Sequence, residues 1–154
     1  MPAPDNHLFI QGDDCYFYLN TGTNAAPVWV EIKNHSDLAI SQAKAKATYK
    51  IHGSRHNRTR GGKFETSLSF NYQRARVSDA VYDALADSFQ NCNPVQLMAT
   101  DRAYTDPDAV GWKAWFEVFK HDTPMKDEEA VLIAVEAEPT DYVENGQLIE
   151  PAFI

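Results

Sequence analysis

Hydrophobic and polar side chains alternate with a period of two along most of this chain, the pattern of half-buried β-strands. Cys15, Phe17 and Leu19 fall on one side of the first alternation, Tyr16 and Tyr18 on the other, and Asn20-Thr21-Gly22-Thr23-Asn24 supplies turn chemistry directly after. Beyond Pro27, Val28, Val30 and Ile32 alternate with Trp29, Glu31 and Lys33, and residues 37–42 read as a further strand through Leu38 and Ile40. The clearest case is 64–72, where Phe64, Leu68, Phe70 and Tyr72 share one face and Glu65, Ser67, Ser69 and Asn71 the other. Residues 95–100 form a short apolar strand. Segments 112–119 and 130–137 are apolar enough to expect cover on both faces.

One segment switches to the helical period. Ser78 is a good N-cap, Asp79 suits the first turn, and Val81, Tyr82, Leu85 and Phe89 recur at helical spacing until residues 91–94 end the run. Strands, one helix and strands again predict a mainly β fold, an antiparallel sandwich or barrel with one flanking α-helix. At 154 residues and 17.3 kDa the chain fits one domain, 1–154, with a C-terminal extension at 139–154.

The exception to the alternation is a long stretch, 43–63, rich in lysine, arginine, glycine and small residues, which reads as a loop between two strands. It changes the electrostatic picture. The whole chain carries 14 basic and 22 acidic residues, a formal charge of -8. Lys44, Lys46, Lys50, Arg55, Arg58, Arg60 and Lys63 lie together with no acidic residue among them, leaving seven basic against 22 acidic residues, a net -15, for the rest. An acidic body would repel a polyanion, and few aromatics accompany the basic residues (Tyr49 and Phe64), so a nucleic-acid arm is poorly supported. The alternative partner is a complementary acidic surface on another copy of the chain. Such a head-to-tail contact propagates into rings or filaments.

Candidate chemistry is sparse. His52 and His56 are four apart, but Gly53 and the surrounding arginines disfavour both a helix and a cation. Gly61-Gly62-Lys63 lacks the glycine spacing, the following Ser/Thr and the helix of a phosphate-binding loop. Asp13-Asp14 and Asp127-Glu128-Glu129 read as solvated acidic surface. There is no Gly-x-Ser-x-Gly elbow, and neither Cys15 nor Cys92 has a motif-like histidine partner, so no catalytic residues, metal or cofactor are expected. The two cysteines are expected as reduced core thiols. No basic-then-apolar leader starts the chain and no apolar run approaches about 18 residues, so neither a signal peptide nor membrane insertion is expected. Without a leader the glycosylation patterns at Asn34 and Asn57 are expected to be chance.

Taken in order, the early strand, Asn20-Thr21-Gly22-Thr23, Pro27-Val28-Trp29-Val30-Glu31-Ile32, Asp37-Leu38-Ala39-Ile40-Ser41, the basic segment, the 64–72 strand, the amphipathic helix, Val95-Gln96-Leu97 before an Asp turn, and the apolar Pro151-Ala152-Phe153-Ile154 resemble the tail tube (major tail) proteins of long-tailed, non-contractile bacteriophages. The resemblance covers nearly the whole chain and rests on order, since each motif alone is weak. It implies a β-sandwich with one side helix, related to the tube protein of type VI secretion. It also implies six copies per ring and rings stacked into a tube whose joined inner sheets line a DNA channel. By that resemblance the seven basic residues make the inter-ring contact, and Glu65, Ser67, Ser69 and Asn71 become candidates for the lumen. The implied partners are further copies of the chain, the tail tip or initiator, the tape measure and the tail terminator, with DNA in transient, non-specific passage. The implied location is the virion tail, with the host cytoplasm during assembly. Two other classes compete: a type VI secretion-like tube subunit, and a monomeric ligand-binding sandwich, for which Trp29, Trp112 and Trp115 would have to build a concave site.

Overall fold

A computed structural model describes residues 15–76, 78–125, 127 and 131–153. The acidic residues Asp13, Asp14, Glu128 and Glu129, together with Ala130 and Ile154, lie outside them. The strands are β1 (Tyr16–Asn20), β2 (Trp29–Glu31), β3 (His35–Tyr49), β4 (Arg58–Gln73), β5 (Val95–Thr100), β6 (Gly111–Asp122), β7 (Leu132–Pro139), β8 (Val143–Glu144), β9 (Gln147–Leu148) and β10 (Ala152–Phe153). One helix, α1 (Ala80–Asn91), separates β4 from β5. The main sheet runs β2-β1-β5-β6-β7-β4-β3, with β10 on β6 and every pairing antiparallel.

This sheet curls back over itself. Strands β1 and β4 stand four places apart in the order, which in a flat sheet means about 19 Å at about 4.8 Å per place. Yet the Phe17 and Phe70 ring centroids are 4.9 Å apart, edge to face, and His35 of β3 meets Phe17 at 5.4 Å. The two ends of the strand order are joined by residues 32–34, where Ile32 N–H donates to Phe17 O and Gln73 N–H to Asn34 O. Inside the curl lie Phe17, Leu19, Ile32, Leu68, Phe70, Tyr72, Leu97, Phe116, Val118, Ile133 and Val135. Helix α1 lays Val81 and Leu85 on this core, and each such side chain contributes about 1.5–3 kcal/mol by burial.

Several expectations change on contact with the structure. The N-cap is Asp79 rather than Ser78: its carboxylate accepts Tyr82 N–H, Ala75 N–H and the Tyr72 hydroxyl, whereas Ser78 is exposed one residue outside. Val28 and Val30 are exposed and only Ile32 of that trio is buried, because β2 is a three-residue edge strand reaching the core just at its end. Strand β7 has one covered face, since Leu132, Glu136 and Glu138 face out between Ile133, Val135 and Ala137. In β6 the double cover holds for the middle, where Trp115 and Phe116 are both buried. Cys15 and Cys92 are exposed rather than in the core. Cys92 instead caps α1 in the left-handed conformation, φ 56°.

The largest correction concerns 43–63. It is not a loop: residues up to Tyr49 continue β3, residues from Arg58 begin β4, and only 50–57 connect them. Lys and Ala are poor strand formers, but pairing across the hairpin satisfies the backbone on one side, from Ala43↔Glu65 to Tyr49↔Arg58. One bulge, where Lys44 and Lys46 face Phe64 and Gly61, absorbs the extra residue on β4.

Candidate assembly interface

Alternation sorts the hairpin's charges. Lys44 and Lys46 lie on the face that continues the core side, and Lys44 Nζ sits 5.0 Å from the centroid of the Phe64 ring. Arg58, Arg60 and Lys63 lie toward the opposite face with Tyr49, and Lys50 and Arg55 occupy the connection. All seven are exposed. The ion pairs found among the described residues, Arg102–Asp108, Lys120–Asp122 and Lys120–Glu136, lie elsewhere. The structure thus spreads the seven basic residues over both faces and the end of a projecting ribbon. Phe64, expected in the core with Leu68, Phe70 and Tyr72, is 72% exposed, because the core ends before the hairpin does.

Glu65, Ser67, Ser69 and Asn71 share the outer face of β4, as alternation requires. Register carries that face across three strands. Ala43, Ser41 and Ala39 stand opposite Glu65, Ser67 and Ser69, while Glu136 and Ala134 stand opposite Ser69 and Asn71. Asn71 Nδ2 donates to Asp37 Oδ2 at 3.1 Å, tying the face to a bulge in β3 where Asp37 takes φ 54°. Glu136 and Glu138 extend the acidic character of the surface. Sequence reasoning missed both, although the strict alternation Val135-Glu136-Ala137-Glu138 was there to signal it.

The other half of the outer face is covered. The Tyr104 ring meets Tyr18 edge-on and its amide donates to the Tyr18 hydroxyl. Tyr142 stacks on Trp115 at 3.6 Å. Asn20 Nδ2 donates to Gln96 Oε1 in a buried amide pair, and the Glu144 carboxylate accepts the Asn24 and Ala25 amides, clasping the β1–β2 turn. The three tryptophans do not converge: Trp112 is in the core, Trp115 is under Tyr142, and Trp29 sits on the β2 edge. A concave aromatic site built from them does not form. His52 and His56 lie in the hairpin connection, and no group of three metal-ligating side chains occurs among the described residues.

Burial near Asp79 and His121 shifts their ionisation. Desolvation alone would raise the Asp79 pKa, but the Tyr72 hydroxyl and the Ala75, Tyr82 and Val81 amides together hold it below the ordinary aspartate value. Desolvation pushes His121 below the ordinary histidine value, against the pull of Asp122. Both groups hold α1 in place and lie away from the open polar face.

No family model matches the chain, and no curated protein matches it in sequence. Solved structures do. The SPP1 tail tube subunit superposes with a TM-score of 0.70 at 14% identity, over 94% of this chain and 78% of that one. The tail subunit of a gene transfer agent particle, solved with C6 symmetry, gives 0.68 at 13% identity, over 94% and 98%. A chain of the sheath–tube complex of the extracellular contractile injection system PVC gives 0.62 at 9%, over 97% and 93%. A contractile system therefore shares the architecture too. A mainly antiparallel sheet with one helix, matched over nearly its whole length by these subunits, gives this chain the tail tube fold.

Proposed function

We propose that the chain is a non-enzymatic structural subunit that polymerises into a tail tube, six copies to a ring and rings stacked around a channel for DNA. The observation that carries this reading is the hairpin. Beyond Leu68 its two strands pair only with each other, and both faces are exposed. A bare two-stranded ribbon is marginally stable in water, and β3 ends the strand order, so its outer edge of backbone groups has no partner in the subunit among the described residues. Edges of that length are paired or protected in finished assemblies. Six-fold symmetry of the gene transfer agent tail supports the ring number.

In this arrangement the open face of Glu65, Ser67, Ser69 and Asn71, with Glu136 and Glu138, lines the channel. Small hydroxyl and amide groups give DNA nothing to grip, and repeated carboxylates repel phosphate by their summed field. The hairpin and its basic residues reach the adjacent ring. The tail tip or initiator, tape measure and tail terminator are the other partners, and the virion tail is the location after assembly in the host cytoplasm.

Negative-stain microscopy with analytical ultracentrifugation of the purified protein tests the proposal. Rings or tubes are expected, at high concentration or after seeding with a tail-tip complex. A strict monomer under both conditions would reject it.

A further inference from the structure

The curl leaves an open mouth. Between the start of β3, the end of β5 and the 101–110 loop lies a groove of about 960 Å³. Its floor is apolar, with Leu38 and Ile40 half-buried and Val110 63% exposed. Its rim carries Glu31, Asp37 and Asp101 against the cationic Lys33 and the neighbouring His35. A floor of that kind ringed mainly by carboxylates suits an apolar anchor flanked by cations.

The hairpin end has that chemistry. Tyr49 and Ile51 are 49% and 45% exposed, Tyr49 stands opposite Arg58, and Lys50, Arg55 and Arg60 surround them with no acidic residue between Lys44 and Lys63. We propose that the hairpin end of one copy, anchored by Tyr49 and Ile51, docks in the Leu38–Ile40–Val110 groove of a second copy. The inference rests on the polymerising reading above and adds to it the surface that receives the hairpin.

A chain cannot fill its own groove this way. Tyr49 is nine residues beyond Ile40 on a continuous strand, so about 30 Å separates them. The contact joins two different patches and leaves one of each free at every addition, which is the geometry that propagates. It explains why apolar side chains are left exposed at both places, and why the charges there are of opposite sign.

The test mixes two variants, each with Cys15→Ser and Cys92→Ser: one carries Ile51→Cys, the other Val110→Cys. Each is first checked for the wild-type circular dichroism spectrum. Oxidation of the assembled mixture is expected to yield a disulfide-linked dimer that neither variant gives alone. In parallel, Glu31→Lys is expected to reduce sedimentable assembly at least ten-fold, with Arg58→Glu added to it restoring part of the loss. Normal assembly with no mixed dimer and no effect of Glu31→Lys would overturn the groove assignment while leaving the polymerising reading intact. Failure of the wild-type protein to assemble would overturn both. A disulfide within one chain between Phe9→Cys and Val110→Cys, with no mixed dimer, would give the groove to the chain's own N-terminal residues and equally overturn the inference.

Discussion

The Tyr72 hydroxyl donates to the Asp79 carboxylate at 2.5 Å, so a core residue of β4 is bonded directly to the N-cap of α1. One carboxylate therefore starts the helix and fixes where it sits on the sheet. Asp79→Ala is expected to cost about 1–2 kcal/mol, as an N-cap truncation does, and Tyr72→Phe about 1 kcal/mol, read from urea denaturation. Asp79 ionises below the ordinary aspartate value in the fold, so its contribution is complete above that value and fades as pH falls through the depressed one. Asp79→Asn keeps a cap but should flatten this acid limb.

His121 gives a second, separable pH effect. Its ring lies against Tyr82 and Phe89, and its Nε2 is buried with no hydrogen-bond partner among the described residues. Folding holds the ring neutral, with a pKa below the ordinary value, so the unfolded chain binds the proton first. Stability should be complete above about pH 6.5 and decline as pH falls below it. Thermal melts of His121→Phe between pH 7.5 and 5 should show a smaller drop than wild type.

Tyr142 shields Trp115 from water. Tyr142→Ala should shift tryptophan emission to the red and cost about 1 kcal/mol. A spectrum identical to wild type would mean that residues 139–153 do not hold this position in solution.

The hairpin should be the least protected strand pair of the free subunit. Amides of residues 44–49 and 58–64 should exchange rapidly before assembly and slowly within tubes, because only a partner can cover them. Deleting residues 50–57 and closing the turn with Asn-Gly should leave the circular dichroism spectrum in place and abolish tubes.

Glu65→Lys together with Ser67→Lys should leave tubes intact and slow DNA passage, seen as particles of normal appearance with lowered infectivity. Wild-type infectivity from such particles would move this face out of the channel.

The period-two pattern read the sheet well where a strand has one wet face: Leu68, Phe70 and Tyr72 point in, and Ser67, Ser69 and Asn71 point out. It failed where the sheet outruns its core. Lys44, Ala45, Lys46 and Ala47 give no apolar alternation because neither face of that ribbon is covered within one subunit, so a strand looks like a loop. The buried partners of Asp79 were equally illegible, since nothing local announces that Tyr72, seven residues earlier, completes the cap. The tail tube architecture came through in the order of segments, while the groove at Val110 needs β3, β5 and the 101–110 loop brought together in space.

Strand β6 uses two residues where β7 uses one, between Val118 and Lys120, and Phe119 is the surplus. Upstream of it even-numbered side chains point inward, as Ala114, Phe116 and Val118 do. Downstream, odd-numbered His121 is the one beneath α1, and Lys120 reaches out to Glu136. Phe119 itself is 57% exposed and contributes little by its own burial. Exchanging it for serine changes a surface. Removing it would let the ladder run on unbroken, because Val118, Lys120 and His121 already stand opposite Ala137, Glu136 and Val135 and would then follow one another as an ordinary strand. The bulge is thus what lets the strand carry one residue too many and still send the histidine inward and the lysine outward.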